Sequence, residues 1–278
     1  MFLRTAFLFA STCLASALSS SAAALTNGHD LSSVALMETI HGAQWIDTDG
    51  NTTTIESIFS EGGMDAVRLR IWTAGEYDLN YTLALAQRFS KAGFKIYLDM
   101  HFSDTWADPH HQNIPAAWDN SQRVELYVRV GLFYGSLRQR DRDPDDVDSF
   151  GFSFYPFYGV EATIDALNSS LTQVAKDYNK PLYVAETDWP VACENVTLSA
   201  DYPVSAEGQT QWVTAIKDVL EGLPNGLGSG IFYWEPAYLS VASLGSSCQS
   251  ALLFDVNWSN WPTTYATALS SVNMFANM

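Results

Sequence analysis

Glu186 ends an apolar run, Leu182-Tyr183-Val184-Ala185. A carboxylate at the tip of a buried strand is costly unless it is hydrogen-bonded or takes part in chemistry. It is therefore either a structural acid paired with a neighbouring base or a reactive group. One reaction that uses such an acid is cleavage of a glycosidic bond, which takes two carboxyl groups, one to attack or to activate water and one to protonate the leaving oxygen. Asp99, Asp104, Asp108 and Glu235 are further acids at or just beyond the ends of apolar segments. Sugar binding also needs flat rings against which the C–H faces of a pyranose pack. Trp72, Trp106, Trp189, Trp234, Tyr155 and Phe157 are candidates, and each would serve equally as core filling. Arg68 and Arg70 alternate within an apolar strand and so face the same way. Pointing inward they need partners, most simply rim carboxylates; the alternative turns one or both outward between helices.

The segments that would carry these residues are short apolar stretches alternating with longer amphipathic ones, the pattern of βα units around a parallel sheet. Strands are expected at Asp65–Trp72, Lys95–Phe102, Phe150–Phe157, Leu182–Thr187 and Gly230–Glu235, with a weaker first strand around Leu25–Asp30. Helices are expected over Thr53–Ser60, Tyr81–Ala92, Glu161–Tyr178, Gly208–Leu220 and Thr263–Phe275. In the second of these, Leu83, Leu85, Ala86, Phe89 and Ala92 form a stripe at helical spacing that reads as core. Polar residues gather where the strands end, and in α/β barrels that C-terminal rim is where chemistry sits. The spacing exposes a gap. Six strands are visible where a closed barrel needs eight, and the deficit falls between Phe102 and Phe150. That interval offers Val124–Phe133 as one helix or strand, then a solvated charge run from Arg138 to Asp146.

Length and composition agree with one barrel-sized domain over 24–278: the chain has 278 residues, 47% hydrophobic and 16% charged. A formal net charge of -17 repels phosphate backbones and anionic membrane surfaces, so neither nucleic acid nor a membrane is an expected partner. The start, Met1-Phe2-Leu3-Arg4, then an apolar run to Leu18 and small residues to Ala24, has the order of a signal peptide cleaved near Ala23. A soluble extracellular product is expected. Cys193 and Cys248 remain beyond that leader, most simply as one disulfide, with two separate buried thiols as the alternative. Asn51, Asn80, Asn168, Asn195 and Asn257 each open a glycosylation sequon, which would have to lie on the surface.

Five stretches together resemble the fungal arabinogalactan endo-β-1,4-galactanases of glycoside hydrolase family 53. They are Val67-Arg68-Leu69-Arg70-Ile71-Trp72; the run from Asp99-Met100-His101-Phe102 through Trp106 to Pro109; Phe152-Ser153-Phe154-Tyr155-Pro156-Phe157-Tyr158; Ala185-Glu186-Thr187-Asp188-Trp189-Pro190; and Phe232-Tyr233-Trp234-Glu235-Pro236. The resemblance implies a (β/α)8 TIM-type barrel and a retaining mechanism with Glu186 as nucleophile. It further implies that Arg68 and Tyr155 orient that nucleophile, that Asp99, His101, Trp106 and Trp234 line sugar subsites, and that Cys193 and Cys248 join the loops after the last two strands. It implies a monomer acting on the galactan side chains of pectin, with no organic cofactor and no catalytic metal.

One element of the family is missing. Its acid/base glutamate belongs to an Asn-Glu pair at the end of the fourth strand, and this sequence contains no Asn-Glu dipeptide. The absent piece coincides with the gap found by spacing, so the barrel is expected to lack strands four and five, an internal truncation around 121–148. Glu125, the only glutamate there, has the context of a helix surface. The expected origin is an aberrant splice product or a misread gene, with an evolved non-catalytic relative as the alternative. Three functions follow: a galactanase of impaired activity, a galactan-binding pseudoenzyme, and a related hydrolase of another β-1,4-glycan.

Overall fold

A computed structural model describes residues 24–108, 111, 113–118, 147–260 and 262–277. Six parallel strands form its main sheet: β1 (Thr26–Asp30), β4 (Ala66–Ile71), β5 (Lys95–Met100), β6 (Phe150–Ser153), β7 (Leu182–Thr187) and β8 (Gly228–Tyr233), in spatial order β5-β4-β1-β8-β7-β6. The first and last strands in sequence are thus neighbours, as in a closed barrel, and the order is broken only between β5 and β6. This is a (β/α)8-type barrel wall with six strands among the described residues. The candidate segment Val124–Phe133, the charge run and Glu125 all lie outside the described residues.

Alternation decides what each strand contributes. In β4, Val67 and Leu69 are fully buried on the helical side while Arg68 and Arg70 point into the barrel. The outward reading of the two arginines is therefore excluded. Inside the barrel, Phe232 packs on Tyr97 at 4.8 Å between ring centroids. Gly28 in β1 is the residue that admits it, since a Cβ there would stand 2.3 Å from the Phe232 ring. Beyond the break, β5 turns Ile96, Leu98 and Met100 to the outside, and they are 37%, 47% and 51% exposed.

The helices begin where side chains satisfy the first free backbone donors. In α2 (Ile55–Glu61) Thr54 accepts from the Ser57 N–H; in α3 (Leu79–Lys91) Asp78 accepts from that of Tyr81. Thr163 and Ser205 do the same for Ile164–Tyr178 and Ala206–Glu221, the helices that follow β6 and β7. Four observed helices overlap their expected segments within a few residues, whereas α1 (Val34–Ile40) lies outside every expected segment and one expected helix does not form. Thr263–Phe275 is not a helix: it holds β10 (Thr264–Ala268) and a 3-10 turn, Ser270–Asn273. The apolar spacing there fits a helix, but Thr264, Tyr265 and Thr267 favour extended backbone. Pairing with β2 (Ala43–Ile46) on one side and β9 (Phe254–Asn257) on the other settles the competition. With β3 (Thr52–Thr53) these strands make a second, four-stranded sheet that sequence reading missed.

All five sequon asparagines are exposed. No described helix is long and apolar enough to cross a membrane.

Candidate active site

Glu186 is aimed by a bulge. Between β6 and β7 the register runs Phe152 to Val184 and then Ser153 to Glu186, so β7 carries one extra residue at its end. Such an insertion bends the strand and re-aims the side chain beside it. The carboxylate that results is gripped from three directions. Arg68 Nη2 donates to Oε1 at 2.7 Å, while Ser153 Oγ at 2.8 Å and the Tyr155 hydroxyl at 3.1 Å donate to Oε2. Burial, and then the Glu186 charge, push the Tyr155 phenol well above its ordinary range, which keeps it a donor.

Arg68 is itself shared. Nη1 reaches Asp30 at 2.5 Å, and Nη2 also meets Asp99 at 2.8 Å, which in turn bonds His101 Nε2 at 2.6 Å. Burial alone would raise the Asp99 pKa; Arg68 and His101 outweigh it and hold that carboxyl below the usual range. Arg70 lies one pleat further along, paired with Glu235 and 3.6 Å from Asp30. Two guanidinium groups therefore face four carboxylates, a balance that disfavours anionic ligands.

The structure brings Arg68, Asp99, His101, Tyr155 and Glu186 together in one cluster. Trp106 and Trp234 are half-buried neighbours on the same rim, with ring centroids 6.3 Å apart. Trp72, Trp189 and Phe157 are buried instead. Trp189 packs on Trp212 and donates to the Pro203 carbonyl, so it fills the core. Asp104 accepts from Thr73 and the Ala116 backbone, and Asp108 bonds His111; both are loop-shaping contacts. Glu235 is enclosed at 3% exposure and does not open on the rim.

Three members of the cluster were not singled out from sequence. Asp30 sits at the end of the weakest strand, and Ser153 becomes visible only through the bulge. Asp188, two residues past Glu186, is 1% exposed, and burial followed by the Glu186 charge raises its pKa well above the carboxylate range. Its Oδ1 has no hydrogen-bond partner among the described residues. Among those residues no group of three or more His, Cys, Asp or Glu is arranged to hold a metal ion.

The loops beside Glu186 are tied. A disulfide joins Cys193, in the loop after β7, to Cys248, in the loop after β8, and Ala192 pairs with Ser250 alongside it. The separate-thiol alternative is thereby discarded.

The sequence profile of glycosyl hydrolase family 53 matches residues 26–133 and 128–266. The chain belongs to this family. Among relatives, the probable arabinogalactan endo-β-1,4-galactanase A of Aspergillus tubingensis is 32% identical over 326 positions, covering 86% of this chain and 92% of the relative. The arabinogalactan endo-β-1,4-galactanase of Thermothelomyces thermophilus is 32% identical over 335 positions, covering 89% and 98%. Both alignments are longer than the 278-residue chain, so each relative carries residues with no counterpart in this family 53 chain. A solved fungal β-1,4-galactanase superposes with a TM-score of 0.79 at 30% identity, over 92% of this chain and 100% of the other. The family 53 catalytic domain of Ignisphaera aggregans, at 19% identity and a TM-score of 0.68, shares the fold. The protein is thus a glycoside hydrolase by family.

Proposed function

We propose that this chain is, by descent, an endo-acting β-1,4-galactanase for the galactan side chains of pectin, with Glu186 as the nucleophile of a retaining mechanism. The observation that carries the proposal is the grip on Glu186. Three donors hold one carboxylate aligned at the end of a barrel strand, where an attacking carboxylate is needed. The acidic surroundings repel anionic ligands, which is compatible with a neutral polysaccharide.

In the proposed reaction Glu186 attacks the anomeric carbon, the bond to the leaving oxygen breaks, and a covalent galactosyl ester forms. Arg68, Ser153 and Tyr155 orient the attacking oxygens and receive the carboxylate back when water cleaves the ester. Asp99 and His101, with Trp106 and Trp234, would line the sugar subsites. The step left unserved is protonation of the leaving oxygen. With no Asn-Glu pair in the sequence, turnover of natural galactan should be slower by about 10² to 10⁴ than with a positioned general acid. The N-terminal segment 1–23 would direct secretion, and the mature chain would act as a monomer outside the cell.

A dinitrophenyl 2-fluoro-β-galactoside separates attack from proton transfer, because its leaving group departs without a proton. The expected result is an intact-mass increase of one fluorogalactosyl group, mapped to the peptide holding Glu186 and lost in Glu186→Gln. A labelled Glu186→Gln chain, or no label on the unaltered one, rejects the nucleophile assignment. The missing Asn-Glu pair also favours a second reading, a galactan-binding pseudoenzyme. Binding of linear galactan without any labelling would support it.

A further inference from the structure

Beneath Trp106 lies a charge that the reaction above does not use. Arg70 projects inward from β4 and is 1% exposed on its side chain. Its Cζ is 4.4 Å from the ring centroid of Tyr77 and 4.4 Å from that of Trp106, so the guanidinium lies against both rings. Nη2 is held by Glu235 and by Ser33 Oγ at 2.7 Å. Ser33 Oγ also donates to Glu235 Oε1 at 2.7 Å and bonds the Tyr77 hydroxyl at 2.8 Å. Every group that fixes Arg70 is thus itself fixed by another member of the same cluster.

A buried ion pair of this kind is a poor source of stability, because desolvating two charges offsets most of their attraction, and well-packed apolar residues often serve as well. What the pair supplies is a cation of defined position and plane. A guanidinium over an indole attracts it electrostatically, and more strongly when water is excluded. The other neighbours of Trp106 meet it steeply: Trp72 at 5.5 Å and 80°, Tyr77 at 5.9 Å and 63°, Trp234 at 6.3 Å and 68°. Those rings meet the indole at steep angles, while the Arg70 guanidinium lies over its ring.

We propose that the Arg70–Glu235 pair is a positioning device for Trp106: Glu235 anchors the guanidinium that sets the plane of the indole, and so tunes affinity for a β-1,4-linked galactan chain without touching the sugar or Glu186. The inference rests on the proposal that Trp106 is a sugar platform. Enclosed as it is, Glu235 is a positioning residue and not a stand-in for the absent acid.

The test is a double-mutant cycle on binding of a linear β-1,4-galacto-oligosaccharide, measured by titration calorimetry on the full chain. Trp106→Ala should weaken binding. Glu235→Gln, which keeps shape but removes the anchoring charge, should cost about tenfold in affinity, within the range of a desolvated cation–π contact. In the Trp106→Ala background the same change should cost nothing further. Equal losses in both backgrounds, or no loss with Trp106 present, overturn the positioning role while leaving the platform intact. Unchanged affinity in Trp106→Ala, or no binding by the unaltered chain, removes the platform and the device with it. If Glu235→Gln does not fold, Ser33→Ala runs the same cycle, since it deletes a hydroxyl bonded to both Arg70 and Glu235.

Discussion

Arg68 and Glu186 meet across the barrel and not along its wall. Their strands, β4 and β7, are separated in the sheet by β1 and β8, yet Nη2 of one lies 2.7 Å from Oε1 of the other. The contact ties opposite sides of the wall together and sets the direction of the carboxylate. It also leaves Arg68 as the main counter-charge for Asp30, whose side chain has no exposure.

Arg68→Met should therefore act on stability before chemistry. Removing one partner of a buried charge pair costs about 3–5 kcal/mol, because the remaining charge is stranded. For a domain of this size that is a fall in melting temperature on the order of 10 °C, readable by calorimetry. A melting point within a degree or two of the unaltered chain would show that the cluster carries no such strain.

Tyr155→Phe keeps the ring and deletes one donor to Glu186. A hydrogen bond to a charged group contributes about 1.5–3 kcal/mol, so labelling of Glu186 by the fluorogalactoside should slow by roughly tenfold to a hundredfold. Stopped labelling kinetics at fixed pH measure this directly, and an unchanged rate would remove Tyr155 from the list of orienting residues.

His29 gives the fold an acid limit. Its ring is fully buried against Phe59 at 4.3 Å and Phe275 at 5.0 Å, and neither nitrogen has a hydrogen-bond partner among the described residues. Burial lowers its pKa to about 3, against about 6.5 in an unfolded chain. Between those values the unfolded state binds the extra proton. Stability from this residue is thus complete above about pH 6.5, declines by up to about 1.4 kcal/mol per pH unit as pH falls toward 3, and is level below that. His29→Leu should flatten this part of the urea-denaturation profile relative to the unaltered chain; parallel profiles would mean that His29 finds a partner when charged.

Cys248→Ser opens a loop whose ends are 55 residues apart in sequence. The chain-entropy argument gives a loss of about 4 kcal/mol. Because the bond fastens the loops beside Glu186, protease cleavage should appear first between residues 190 and 205 or 236 and 250. Cleavage starting elsewhere would show that the rim holds without it.

How far the sequence leads depends on whether a signal is local. Leu182–Thr187 is legible because a strand covered on both faces is apolar nearly throughout, so its terminal glutamate stands out. Arg68 and Arg70 are legible as a facing pair because strand alternation is local too. Thr263–Phe275 is misread because Tyr265, Ala268, Leu269 and Val272 fit a helical period as well as a strand followed by a turn, and only β2 and β9, far away in sequence, decide. Trp106 and Trp189 look alike in composition; one lies on a guanidinium at the rim and the other under a helix, a difference set by loop geometry after their strands. Ser153 and Asp188 owe their positions to the irregular end of β7, which has no signature in residue type.

The uncovered outer row of β5, Ile96, Leu98 and Met100, makes this chain a colloid whose behaviour is governed by salt. Each molecule carries a sticky stripe, and the formal charge of -17 keeps copies apart. Raising ionic strength from 0.01 M to 0.15 M shortens the reach of that repulsion from about 30 Å to about 8 Å. Clear solutions at low salt should turn turbid, and light scattering should show Leu98→Lys delaying the onset.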